Sequence, residues 1–268
     1  MGQPLPFLRP LGKLCSVPDG AQSILLAGFL GGYPVGAQAV TQAFDSGQLR
    51  KADAERMLAF CNNVGPAFLF GMAASLFPRK WMAWALWGIH IAGAIMTALI
   101  FPVRDSEAVK LRGHPHVTLP GALNASLRVM VAVCGWVILF RVLISFLNRW
   151  LLWLFPAYIK VGLIGLLELS NGCCELSAIS DTTLRFIMCS GMLALGGCCV
   201  AMQTISVTTG LSLRYCLMGK LLQTAFSLIL AFAVMTGVWL PCSAVLLTSI
   251  CILRKTQKKG SIQVIAGV

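Results

Sequence analysis

Polar positions along this chain interrupt long apolar runs rather than alternating with them at a strand or surface-helix period. Runs such as WMAWALWGIHIAGAIMTALIF (81–101) and residues 122–147 are long enough, as helices, to cross a hydrocarbon core of about 30 Å. Other runs are broken in the middle. AQSILLAGFLGGYPVGAQAVTQAF carries GGYPVG at its midpoint, with about 15 Å of helix before the break and about 12 Å after it. Glycine and proline end helices, and a broken helix leaves backbone groups that hydrocarbon cannot satisfy. The stretch is therefore either a kinked span or a hairpin that turns back around something polar.

The same pattern divides the whole chain. An interfacial lead-in (1–20) precedes a first unit (21–121). That unit holds a re-entrant hairpin at 21–44, a charged linker at 45–56, a helix at 57–77 broken by CNNVGP, and a helix at 81–101. Residues 122–160 supply a connecting helix and the segment NRWLLWLFPAYIK, whose Trp, Tyr and basic groups predict an interface-lying helix. A second unit (161–253) repeats the order. Its hairpin at 161–180 is broken at Asn171-Gly172, its helix at 186–207 is broken at Gly196-Gly197, and helices at 215–238 and 239–253 follow. A basic tail (254–268) ends the chain. Paired Gly/Pro interruptions in two halves of a membrane protein point to a transporter's binding site. Three crossings separate the hairpins, so they enter from opposite faces. The expected fold is an all-α polytopic integral membrane protein, an inverted repeat of re-entrant hairpins and broken transmembrane helices.

Composition agrees with this class. Charged residues make up only 11% of the 268 residues, against about 25% in soluble domains, and the mean hydropathy is +0.82. The net charge of +12 falls at the ends of apolar runs, where it marks topology and contact with the anionic lipid bilayer. No basic stripe interleaved with aromatics suggests nucleic acid. Leaving out the helix-embedded Arg128 and Arg141 and the borderline Lys220, most basic residues lie on the side of the termini, which places both in the cytoplasm. Without the short span at 239–253 the tally is even. Eleven cysteines lie mostly inside apolar runs with no CxxC spacing, so neither a metal nor a disulfide framework is expected. Pro4, Pro6 and Pro10 interrupt any signal-peptide core.

The candidate site is built from the breaks. A half-helix ending at mid-depth aims backbone N–H groups and a positive dipole end at whatever sits there. Gly31, Gly32, Tyr33, Pro34 and Gly36 form the first break, and Asn62, Asn63, Gly65 and Pro66 the second. Ser170, Asn171 and Gly172 form the third, and Gly196 and Gly197 the fourth. Glycines let a ligand approach bare backbone, and Asn supplies both donors and acceptors; a kinked structural helix is the plain alternative for each break. Glu168 is a carboxylate at membrane depth, a functional candidate that carries a proton, holds a coupling cation or accepts from substrate; a structural ion pair with Arg128 or Arg141 is the alternative. Gln203 is either an amide ligand or a helix–helix hydrogen bond. His90 reads as a packed or helix-bonded histidine, and His114 and His116 as solvated loop residues. No nucleophile–base pair, Walker loop or HExxH argues for an enzyme, and no cofactor is implied.

GGYPVGAQ, LRKADAERMLAFCNNVGPAFLFG, ELSNG and GGCCVAMQ together resemble the YlbJ-type sporulation integral membrane proteins, in the nucleoside-recognition (gate) domain group, distantly similar to concentrative nucleoside transporters. The resemblance covers roughly residues 10–235 and is strongest at 31–71. It implies a bacterial membrane protein, in the cell or forespore membrane, that moves a small anionic or heteroaromatic metabolite; in the sporulation branch that metabolite is dipicolinate. Coupling to sodium or protons and assembly as a homo-oligomer are open. Members of the group usually begin with further membrane helices, so a whole transporter, a misplaced start and a fragment all stand as readings of this chain. Cys198 and Cys199 stand where small polar residues are expected. A scaffold or sensor that keeps the gate fold without a transport cycle is the rival reading.

Overall fold

A computed structural model describes residues 8–18, 21–101 and 118–266 of the chain. The loop with His114 and His116, and the first seven residues of the lead-in, lie outside the described residues.

Every regular element among the described residues is helical. The lead-in forms α1 (Arg9–Leu14). The first apolar run folds as α2 (Gln22–Leu30) and α3 (Val35–Asp45), packed on one another across a break that holds a cis Tyr33–Pro34 peptide. Helix α4 (Lys51–Cys61) ends at Asn62, and Pro66, which needs no N–H in a first turn, opens the short α5 (Pro66–Phe68). A π turn (Leu69–Ala73) and α6 (Ala74–Leu76) complete this leg. Two long helices follow, α7 (Lys80–Ile100) and α8 (Leu119–Trp150). The second half holds α9 (Ala157–Leu167), α10 (Leu169–Glu175), α11 (Thr182–Leu195) and α12 (Gly197–Val207). Last come α13 (Arg214–Thr236) and α14 (Trp239–Ala266).

Several boundaries differ from the sequence reading, one of them at the end of the chain, where α14 runs on past residue 253 to Ala266 through the expected basic tail. The charged linker at 45–56 is half helix, because α4 begins at Lys51 and buries Asp53 and Arg56. Arg56 donates to the carbonyls of Cys15, Ser16 and Phe101, so it fastens the lead-in and the end of α7 to α4. NRWLLWLFPAYIK is not one interfacial helix: it is the last turn of α8, a 3₁₀ turn (Leu152–Leu154) and the first turn of α9, with Pro156 at the N-cap of α9. The second hairpin breaks at Glu168 rather than at Asn171-Gly172, which lie inside α10. The breaks at 31–34, 62–65 and Gly196 fall where the glycines and prolines placed them. Gly196 adopts φ +76°, a left-handed conformation that favours glycine.

Among the described residues, four helical stretches are long and apolar enough to cross a membrane: Lys80–Ile100, Leu119–Trp150, Thr182–Val207 and Arg214–Thr236. Helix α13 is the central strut and packs on α4, α7, α11 and α14. Two hydrophobic cores flank it. One gathers α2, α3, α4, Ala94 and Ala98 of α7, and Cys216. The other gathers Met82, Leu86 and Ile89 of α7 with α9–α11 and Ala231 of α13. Between them, at the level of His90, Lys220 and Gln223, lies a polar layer.

Candidate functional site

His90 stands ten residues into α7, about 15 Å from either end of that helix. It faces Lys220, Gln223 and Ser227, which share one side of α13 by their spacing. Helix α13 reaches this position because Gly219 lets it lie on α4: a Cβ there would sit 2.2 Å from the Ala59 carbonyl oxygen. All four polar side chains are buried.

Three of the four breaks meet at this layer. From the first, Tyr33 donates its hydroxyl to the Leu193 carbonyl at 3.1 Å and accepts from Lys220 Nζ at 3.0 Å. From the second, Val64 N–H donates to His90 Nε2 at 3.2 Å, which leaves the ring proton on Nδ1. Asn63 Oδ1 accepts from Gln223 Nε2 at 3.0 Å, and Asn62 Nδ2 donates to Thr204 Oγ1 of α12 at 2.8 Å. Leu193 belongs to the last turn before the fourth break, where Gly196 approaches the Tyr33 ring. Lys220 also donates to Gln223 Oε1 at 3.0 Å. Its positive charge meets no carboxylate among the described residues. Asn62 Oδ1, His90 Nδ1 and Ser227 Oγ are buried without a hydrogen-bond partner.

The third break forms a second cluster. Glu168 caps α10: one carboxylate oxygen accepts from Ser170 N and Oγ at 3.1 and 2.7 Å. The other accepts from Asn171 N and Nδ2 at 2.7 and 2.5 Å. Asn171 Oδ1 in turn accepts from Arg141 Nη1 at 2.6 Å. Glu168 thus forms no ion pair with Arg128 or Arg141 and meets Arg141 only through Asn171. Ser170 and Asn171 of α10 face a cleft of about 360 Å³ whose other wall is α8, at Val137, Ile138, Arg141 and Val142. That volume lies within the range of small-ligand pockets, about 300–1,000 Å³. The two clusters adjoin, because Gly197 packs directly on the carbonyls of Gly165 and Leu166.

The sequence-predicted residues therefore separate into two groups. Tyr33, Asn62 and Asn63 lie in the central layer; Glu168, Ser170 and Asn171 lie at the cleft. The glycines bring backbone against backbone: Gly32 meets Gly65, Gly36 meets Cys61, and Gly172 meets Gly165. Gly31 is exposed, and Pro34 and Pro66 begin helices. Gln203 is buried and bonds Cys199 Sγ on its own helix. Lys220 and Gln223 were missed. The signal was a lysine inside an apolar run, YCLMGKLLQTAF, set aside as borderline in the charge tally although an ionisable group at that depth is itself a candidate.

Long apolar helices joined by polar contacts at mid-depth define a multi-pass integral membrane protein. The chain is similar to the sporulation integral membrane protein YlbJ of Bacillus subtilis (strain 168), at 23% identity over 254 aligned positions. The alignment covers 78% of this chain and 61% of that protein, so the chain spans about three-fifths of its relative's length. No protein-family model matches the chain, and no solved structure does.

Proposed function

We propose that the protein moves a small anionic, heteroaromatic metabolite across a bacterial membrane, and that the cleft between α8 and α10 binds it. The observation that carries this reading is the Arg141 guanidinium, held at the mouth of the cleft by the neutral Asn171 side chain beside an apolar wall. A planar aromatic carboxylate matches that chemistry: carboxylate oxygens replace Asn171 on the guanidinium, and the ring lies on Val137, Ile138 and Val142. Dipicolinate is such a molecule, and the sporulation name of the relative supports it as the first substrate to test.

The inverted repeat belongs to the same reading. Each hairpin crosses itself at a glycine pair, Gly28 with Gly36 and Gly165 with Gly172, and each crossing abuts the broken helix of its own half. That correspondence supports two hairpins of one design, dipping from opposite faces.

Purified protein in proteoliposomes tests the proposal. Saturable uptake of dipicolinate, exceeding that of nucleosides, is the expected result; folded protein that moves neither overturns it. A second reading, a sensor that binds without transporting, is favoured by the dense hydrogen bonding of Tyr33, Asn63, Gln223 and Lys220. It predicts dipicolinate binding in detergent with no uptake.

A further inference from the structure

The polar layer contains an ionisable group that the cleft does not use. Lys220 is 7% exposed, between two hydrophobic cores. An ammonium group removed from water carries a large desolvation penalty unless an anion pairs with it. Here its bonded partners are a hydroxyl and an amide oxygen, both neutral. Glu168 cannot serve as its counterion by rotation alone, since both of its oxygens are engaged by the start of α10. The titratable groups facing Lys220 are Tyr33 from the first break, Cys61 from α4, His90 from α7 and Cys216 from its own helix. Among the described residues, no charged side chain of α11 or α14 acts on it.

We propose that Lys220 is a proton-binding site whose protonation state decides whether Tyr33 ties the first hairpin to the last turn of α11. The chemistry follows from the donor count. As an ammonium, Lys220 donates to Tyr33, and the Tyr33 hydroxyl spends its single proton on the Leu193 carbonyl. When Lys220 releases a proton to water, its nitrogen gains a lone pair. The Tyr33 hydroxyl, 3.0 Å away, has a proton to offer that lone pair. The Gln223 amide is already committed to Asn63 and the His90 carbonyl. Turning to the amine, Tyr33 leaves Leu193 and frees the last turn of α11 beside Gly196. One N–H bond of the ammonium breaks as its proton passes to water; otherwise only hydrogen bonds rearrange. A lysine can perform this exchange, whereas an arginine holds its proton.

Used in a transport cycle, the switch couples a proton to motion of the fourth break, and that use rests on the transport reading. Two measurements separate the two ideas. In proteoliposomes, Lys220→Met is expected to keep dipicolinate counterflow and lose at least about tenfold of the accumulation driven by a pH gradient. Unchanged gradient-driven accumulation overturns the proposal. In detergent, without any solute, the melting temperature of the wild type is expected to show a pH-dependent step that Lys220→Met lacks. Superimposable profiles overturn the proposal even if the protein transports nothing, and a lost step supports it in that same case. If Lys220→Met does not fold, Lys220→Arg, which keeps the charge but not the exchange, carries both expectations and both refutations.

Discussion

Gly36 and Cys61 touch backbone to backbone: a Cβ on Gly36 would lie 1.9 Å from the Cys61 carbonyl oxygen and 2.9 Å from the Gly28 α-carbon. The glycine lets the tip of the first hairpin clasp the end of α4. Gly36→Ala must push rigid backbone aside, at a cost of about 1–3 kcal/mol or more. The expected outcome is a lowered melting temperature in detergent. Gly88→Ala, in the middle of α7 with open space where its Cβ goes, is the control and should melt at or slightly above the wild type. Equal behaviour of the two variants would show that the clasp is not tight.

Arg141 and Asn171 supply the second prediction. Arg141→Met removes the one cationic side chain lining the cleft and keeps its length and apolar contacts. A charge-assisted hydrogen bond is worth about 1.5–3 kcal/mol, so dipicolinate affinity should fall roughly 10- to 100-fold. Insertion and melting should be unaffected, because Arg141 is exposed. Isothermal titration of both proteins with dipicolinate measures this directly, and equal affinities would remove Arg141 from the site.

Glu168 is expected to behave as a helix cap with an effect on the cleft. Glu168→Gln keeps one acceptor oxygen and places an NH₂ against the donors at the start of α10, costing about 1–2 kcal/mol in stability. Asn171 then loses its anchor, so dipicolinate binding weakens as well. Glu168→Asp, an ordinary N-cap, should recover much of the stability. A Glu168→Gln protein with wild-type melting but abolished ion coupling would instead restore Glu168 as a coupling group.

The lead-in makes a pH prediction. Burial pushes the Cys15 thiol from its ordinary 9.0 up to about 11, with the nearby Arg56 guanidinium pulling it the other way. A thiol whose value is raised on folding adds stability that is fully present below about pH 9 and lost as the pH climbs through about 11. Folded protein should therefore resist alkylation at Cys15 at pH 8, by peptide mapping, and lose that protection above pH 11. Rapid labelling at pH 8 would mean that α1 does not seat on α4.

Opposed hairpins have a topological signature. Cysteines introduced at Ser46, after the first hairpin, and at Ser180, after the second, in a background lacking the native cysteines, should react with impermeant maleimide from opposite faces of sealed vesicles. Reaction from the same face would leave an all-helical membrane protein without the inverted repeat.

Much of the helix order was legible because glycine and proline act locally. The breaks at Gly31–Pro34, Asn62–Gly65 and Gly196 follow from backbone limits that need no tertiary information. The start of α4 was hidden because Lys51, Asp53 and Arg56 read as a solvated linker. Only the fold shows that the carbonyls of Cys15, Ser16 and Phe101 wait for Arg56. The third break was misplaced because Glu168 was weighed as a charge, when its position before Ser170 and Asn171 also makes it a cap. Lys220 was overlooked for the opposite reason: a lone lysine near the start of an apolar helix looks like a snorkelling end group until Gly219 is seen to pull it inward.

The two walls of the cleft are held in the fold very differently. Helix α8 is exposed along most of its length, and it rests on α9 and α12 with a Trp136–Ser206 hydrogen bond as a side-chain fastening. The opposite wall, at α10, is fixed by the Glu168 cap and by Gly172 wedged on Gly165. A solute that pries the cleft apart therefore displaces α8 and leaves α10 in place. Arg141 sits on the loosely held wall, so under the transport reading proposed above a solute that binds it would engage the helix with the fewest protein neighbours to hold it.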